Sequence, residues 1–173
     1  MKGVMPGPVV SNSSVAACKA SCICGTCYMG NVPGGGLQAN EHPPGKGHTL
    51  AKHALEEPPS ARERLDKRLA DEPDVQAASS YDSKEQAEKA VASILRENRE
   101  KINAWLKDPS AKKKIAVPGT FNGGKVRLRS ARDGKTHTRT GNSATVIIVK
   151  DNSADGFHIL TSYPQYTEKK KKP

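Results

Sequence analysis

The chain has 173 residues and a formal net charge of +10, a length that accommodates one principal domain rather than two. Hydrophobic residues make up 35% and aromatic residues 4%, so a core can form, but not from the whole chain. No run of 18 apolar residues exists, which excludes a membrane-spanning helix, and the basic excess points to a polyanion, either nucleic acid or an acidic protein.

The charge is unevenly spread. Residues 109–150 carry ten basic side chains against Asp133 alone, and Lys169-Lys170-Lys171-Lys172 adds a further cationic run. Residues 46–108 are nearly neutral, with 12 basic and 13 acidic side chains. The basic character therefore belongs to one central stretch and one tail. The tail, residues 167–173, reads as a solvated end, because like charges repel and bury nothing.

Residues 1–45 read as a flexible leader or linker rich in Gly, Pro and Ser, with no helical or strand period. All four cysteines, Cys18, Cys22, Cys24 and Cys27, lie here. Structural zinc usually joins two separated cysteine pairs, and these four are crowded into ten residues, which disfavours zinc. Disulfides remain open, with three pairings, as does a segment with no role in the folded domain. Val15-Ala16-Ala17-Cys18 loosely matches a lipoprotein cleavage site, but the stretch before it lacks a continuous apolar core.

The expected domain spans residues 46–166. His48 to Leu55 reads as a short helix stopped by Pro58-Pro59. Ser60-Ala61-Arg62-Glu63 has capping-box spacing and opens a helix to about Ala70, with Ala61, Leu65 and Leu69 on one stripe. Ser83-Lys84-Glu85-Gln86 is a second such signal. It opens a long helix to about Lys107, whose apolar face comprises Ala87, Ala90, Val91, Ile94, Leu95, Ile102, Trp105 and Leu106. After Pro109 the period becomes alternating. Residues 115–117, 125–128, 144–150 and 156–163 read as strands, the last two forming an antiparallel hairpin across Asn152–Gly156. Helices first and strands afterward argue for an α+β fold.

Alternation along the last strand puts Phe157, Ile159, Thr161 and Tyr163 on one face and His158, Leu160 and Ser162 on the other. Two hydroxyls about 7 Å apart on one strand can both reach one phosphate, although a strand end meeting water has the same pattern. His48 and His53 are five residues apart. On a continuous helix they point roughly 140° from one another, which argues against a simple paired site. His53 shares the side of Leu50 and Ala54, facing the interior or a cleft, and a pKa near 6.5 suits general acid–base work. A histidine in such a place is also a common structural residue. Arg64 and Arg68 flank the buried stripe of the second helix, and periodicity does not choose between them.

These stretches carry a resemblance. Gly47-His48-Thr49-Leu50-Ala51-Lys52-His53-Ala54, Ala78-Ser79-Ser80-Tyr81, Asn98 to Leu106 and Leu160-Thr161-Ser162-Tyr163-Pro164 together resemble the bacterial ribonuclease A-like toxin domains of contact-dependent growth inhibition and related polymorphic toxin systems. The resemblance covers about residues 45–165. It implies a ribonuclease A-like α+β domain without disulfides, with N-terminal helices followed by an antiparallel sheet. It also implies cofactor-free and metal-independent RNA cleavage by the ribose 2′-hydroxyl, delivery from an exporting bacterium into a target-cell cytoplasm, and neutralisation by an immunity protein, expected to be acidic. The implied catalytic residues are His53, Arg64, Thr161 and Tyr163, with His48 a weaker candidate. His158, by its strand parity, is not cast as a second catalytic histidine.

Within the basic stretch, Lys125, Arg127, Arg129 and Arg139 are the expected substrate contacts, suited to salt-sensitive, mostly sequence-blind phosphate binding. The same patch suits docking of an acidic inhibitor, and the domain is expected to be monomeric. The rival reading is a non-catalytic basic RNA-binding module. A zinc deaminase is disfavoured because its His-x-Glu and Cys-x-x-Cys pattern is absent from the domain.

Overall fold

A computed structural model describes residues 30–41, 47–54, 58–130 and 133–168. The four cysteines and the lysine run of the tail lie outside the described residues, and with them the zinc and disulfide readings. After a 3-10 turn at Pro33–Gly35, the helices are α1 (Leu37–Glu41), α2 (Thr49–His53), α3 (Pro58–Asp71), α4 (Lys84–Glu97) and α5 (Arg99–Lys107). The strands are β1 (Ala77–Ser80), β2 (Lys114–Arg129), β3 (Thr136–Lys150) and β4 (Phe157–Gln165). They form one sheet in the order β1-β2-β3-β4, with every neighbour antiparallel. The α+β architecture is the one expected.

Local chemistry sets the helix ends. Ser83 Oγ accepts the Gln86 N–H at 3.0 Å, and the Gln86 side chain accepts the Asp82 N–H at 2.8 Å. These bonds satisfy donors that the start of α4 leaves without intrahelical partners. The single helix expected over residues 84–107 is two, broken at Asn98. Its side-chain amide donates to the Ile94 carbonyl at 2.9 Å and to the Pro118 carbonyl of β2 at 3.3 Å. This is the competition with the helical ladder that asparagine offers. The strand segments expected at 115–117 and 125–128 are the two ends of one 16-residue β2, whose register against β3 shifts around Gly123.

On β3, Ala144, Val146 and Ile148 are fully buried and alternate with less buried neighbours. With Val117, Phe157 and Ile159 they form the main core with Ala87, Ala90, Val91, Ile94 and Leu95 of α4. The approach is close: a Cβ on Gly119 would lie 2.5 Å from Ile94 Cγ1. A smaller cluster joins Leu65 and Leu69 of α3 to Ala78.

Residues 30–41, read from sequence as linker, pack onto this unit. Leu37 is fully buried in the main core. The Asn40 amide donates to the carbonyls of Pro33 and Gly36, both at 2.8 Å, and its Oδ1 accepts the Ile159 N–H of β4 at 2.8 Å. Gly47 lies so close that a Cβ would meet the Asn40 carbonyl oxygen at 2.4 Å and that of Ile159 at 2.7 Å. The segment contains few apolar residues, so no period announced it.

One irregularity reorganises β4. Ile148 pairs with Ile159, but Ile147 pairs with Thr161, leaving Leu160 as an extra residue. Such a bulge moves every later side chain to the opposite face. Phe157 and Ile159 therefore point into the core, whereas Thr161 and Tyr163, paired with Ile147 and Thr145, lie on the other face. Ser162 points inward instead, and its hydroxyl meets the Tyr81 hydroxyl at 2.6 Å. The expected grouping of Phe157, Ile159, Thr161 and Tyr163 on one face is thus incorrect. So is the parity argument about His158, which shares the face of Thr161 and Tyr163.

Candidate active site

Helix α2 closes the gap between the two edge strands of the sheet. At its start, the His48 N–H donates to the carbonyl of Leu160, the bulge residue, at 3.0 Å. At its end, the His53 carbonyl accepts the Tyr81 N–H at 2.6 Å, and His53 Nδ1 lies 2.9 Å from the Ser79 carbonyl of β1. Glu41 caps the helix from outside: its two carboxylate oxygens accept the N–H groups of Leu50 at 2.9 Å and Ala51 at 3.1 Å. A helix of five residues is too short to hold itself; these bonds fix its place.

A cavity of about 350 Å³ opens beside it, lined by His48, His53, Arg68, Ala77, Ser79, Thr161 and Tyr163. The His53 ring centroid is 5.6 Å from that of Tyr163 and 6.3 Å from that of His48. The expectation that the two histidines diverge assumed one continuous helix. His48 instead precedes the first turn, with φ −146° and ψ 26°, and its ring falls on the cavity.

His53 is 6% exposed. Burial is the main reason its pKa falls from 6.5 to about 4; Arg68, His48 and Lys52 push it the same way, against the hydrogen bond to Ser79. The imidazole is therefore neutral at pH 7. A ring nitrogen facing a carbonyl must carry the proton, so Nδ1 is the N–H and Nε2 holds the lone pair. His48 is also lowered, first by burial and then by Lys52 and Arg68, with Glu41 opposing. Thr161 is 8% exposed, and its Oγ1 is buried without a hydrogen-bond partner among the described residues. An orphaned hydroxyl on a cavity wall is a donor available to a ligand.

The cavity thus brings together His53, Thr161, Tyr163 and His48. The resemblance implied Arg64, but the arginine lining this cavity is Arg68, one turn further along α3. Arg64 lines a neighbouring cavity. His158 lies outside both, its Nδ1 2.8 Å from Asp151 Oδ2.

The four cations of the basic stretch separate by role. Arg127 is buried and its guanidinium is fully engaged: it bonds Asp66 at 2.8 Å, Thr138 at 2.7 Å and Thr136 at 2.8 Å, tying α3 to the sheet. Arg129 donates to the carbonyls of Pro73 and Leu69, closing the C-terminal end of α3. Lys125 is exposed but pairs with Ser80 and Thr140, a row on the face away from Ser79. Arg139 is exposed and lies in the row Ser79–Val126–Arg139, on the face that carries the cavity.

No match was found among curated proteins. A solved structure described as the crystal structure of a CdiA-CT/CdiI complex from Y. kristensenii 33638 aligns with a TM-score of 0.58 and 24% identity. The alignment covers 69% of this chain and 99% of that one, and at that identity the likeness is one of fold. The profile of the bacterial CdiA-CT RNAse A domain family matches residues 47–164, the span from the glycine pressed against β4 to the proline after Tyr163. Because this match takes in more than half of the chain, the protein belongs to the bacterial CdiA-CT RNase A domain family.

Proposed function

We propose that the protein is an RNA endonuclease toxin that cleaves by attack of the ribose 2′-hydroxyl on the adjacent phosphate, without a metal. The observation that carries this reading is one cavity lined by a buried, neutral histidine and by a threonine whose hydroxyl has no hydrogen-bond partner among the described residues. His53 Nε2 takes the 2′-hydroxyl proton; the 2′-oxygen bonds to phosphorus as the bond to the 5′-oxygen breaks. Thr161 donates to a non-bridging oxygen, and the Arg68 guanidinium offsets the charge that gathers on the phosphorane. Tyr163 donates its phenolic proton to the departing 5′-oxygen. The products are a 2′,3′-cyclic phosphate and a 5′-hydroxyl. In this reading Arg64, the arginine implied by the resemblance, contributes from the adjoining cavity.

Domains of this family suggest delivery by contact-dependent inhibition into a target cell. The solved relative was crystallised as a CdiA-CT/CdiI complex, which supports an immunity-protein partner here. An acidic surface would complement the exposed cations of residues 109–150, Lys112, Lys113, Lys114, Lys125, Lys135 and Arg139 among them.

Incubating the purified protein with total RNA in EDTA tests the reading. Fragments ending in 2′,3′-cyclic phosphate are expected, and a 2′-deoxy substitution at the cleaved position should abolish them. Tight RNA binding without cleavage would favour the non-catalytic module instead.

A further inference from the structure

Helix α2 carries His53 at its last position, yet its own residues do not cap its start. His48 stands at the N-cap without a side-chain hydrogen bond, and the Thr49 hydroxyl is buried with no partner among the described residues. The first N–H groups of a helix have no acceptor inside it, so those of Leu50 and Ala51 need one from elsewhere. Glu41 supplies both, one carboxylate oxygen to each N–H, at 2.9 and 3.1 Å. Its charge lies at the positive end of the helix, where an anion is favoured. It also opposes the lowering of the His48 pKa by burial, Lys52 and Arg68.

Glu41 is itself held in place. Leu37, four residues earlier, is fully buried, and its N–H donates to Glu88 Oε1 of α4 at 2.5 Å. Asn40 Oδ1 accepts the Ile159 N–H of β4, and the Asn40 carbonyl accepts the Gly47 N–H, both at 2.8 Å. The cap is therefore fixed to the main core and to β4, the strand that bears Thr161 and Tyr163. The family profile begins only at residue 47, so this anchor precedes it.

Helix geometry transmits what happens at the cap. At about 1.5 Å per residue, Leu50 and His53 are about 4.5 Å apart along the axis. The far end of α2 is tied to β1 and its continuation through the His53 carbonyl and Nδ1. Release at the near end would tilt the helix about that attachment and turn the His53 ring in the cavity.

We infer that Glu41 is a positioning residue for RNA cleavage: through the N–H groups of Leu50 and Ala51 it sets the tilt of α2, and so the direction in which His53 Nε2 meets the 2′-hydroxyl. This rests on the ribonuclease reading and extends the catalytic unit upstream of the family's span.

The test compares full-length wild type, Glu41→Ala, Glu41→Gln and Gly119→Ala on a single-stranded oligoribonucleotide, at neutral pH and well below the unfolding transition of each. Glu41→Ala should lower kcat by about tenfold to a hundredfold, the cost of misplacing a reacting group by about 1 Å, with KM within about twofold of wild type. Glu41→Gln keeps the length and one acceptor oxygen and should fall between the two. Gly119→Ala disturbs the contact between α4 and β2 instead. Its kcat should stay within about twofold of wild type, which separates misplacement from lost stability. A Glu41→Ala kcat within twofold of wild type would overturn the inference, as would a change confined to KM or an equal loss in Gly119→Ala.

The His53 imidazole resonances read the geometry without the reaction. In Glu41→Ala the Nδ1–H signal should shift, and its exchange with water should quicken about tenfold as the bond to the Ser79 carbonyl loosens. If wild type cleaves no RNA, the ribonuclease reading fails. The positioning of His53 by Glu41 is then judged on these signals alone, and identical signals in wild type and Glu41→Ala would overturn it.

Discussion

Burial of a neutral His53 has consequences for both rate and stability, and its acid titration separates a catalytic base from an ordinary surface histidine. The pKa of about 4 in the folded protein lies well below the 6.5 of an exposed histidine. The unfolded chain therefore binds more protons between these values, so stability rises with pH across the window. The His53 contribution is complete above pH 6.5, declines as pH falls, and is gone below about 4. The gap corresponds to roughly 3 kcal/mol, at about 1.4 kcal/mol per pH unit. Carboxylates titrate in the same range, so the measurement is a difference. His53→Asn is the control, because its amide nitrogen stands near the Nδ1 position and can still donate to the Ser79 carbonyl, yet it does not titrate. Denaturant unfolding at intervals from pH 4 to 7 should show the wild-type curve falling away from that of His53→Asn by about 3 kcal/mol. On the kinetic side, kcat/KM should stay level from pH 7 down to about 5 and fall tenfold per unit below about 4. The variant should lose about 10²–10⁴ in rate at every pH, the usual worth of a positioned base. An acid limb at or above 6.5, or parallel stability curves for the two proteins, would refute the buried neutral imidazole and the role built on it.

Other perturbations discriminate between structural and substrate-facing groups. Arg127→Ala should destabilise the fold by about 1–3 kcal/mol, since it leaves the Thr136 and Thr138 hydroxyls and Asp66 without their shared partner, whereas Arg139→Ala should weaken RNA binding with an unchanged denaturation midpoint. Asn40→Ala removes two hydrogen bonds within residues 30–41 and the one that ties them to β4, and should cost about 2–3 kcal/mol, read by urea unfolding. Gly119→Ala drives a Cβ into Ile94 and should cost about 1–3 kcal/mol through overpacking, visible as a lowered Tm. Thr161→Val keeps the shape of the side chain and removes only the orphaned hydroxyl, so it should lower kcat by about tenfold to a hundredfold without loss of stability.

The sequence made the helical layer and the central strand legible because they follow simple periods. The α4 stripe of Ala87, Val91 and Ile94 and the run Thr145 to Val149 bury the residues expected of them. The site is a different matter. Periodicity singles out His53, Thr161 and Tyr163, the family resemblance alone implies their catalytic roles, and the parity that joins Thr161 to the core is defeated by one residue, Leu160. No propensity marks that leucine as a bulge, since the signal is a mismatch between two strands and becomes visible only when β4 is laid against β3. The same bulge supplies the carbonyl that receives His48, so a single inserted residue both turns Thr161 and Tyr163 to the cavity face and anchors the helix that carries His53. Arg64 and Arg68 illustrate the complementary limit. Four residues apart, they occupy neighbouring places on one helical stripe, and which of them reaches the cavity depends on the rigid-body seating of α3. That seating is governed by long-range contacts, chiefly Arg127 with Asp66 and Arg129 with the end of α3, and these lie sixty residues away in the chain from the arginines they position. Two cations expected from sequence to meet substrate, Arg127 and Arg129, are thus engaged in holding α3, the helix that carries Arg64 and Arg68.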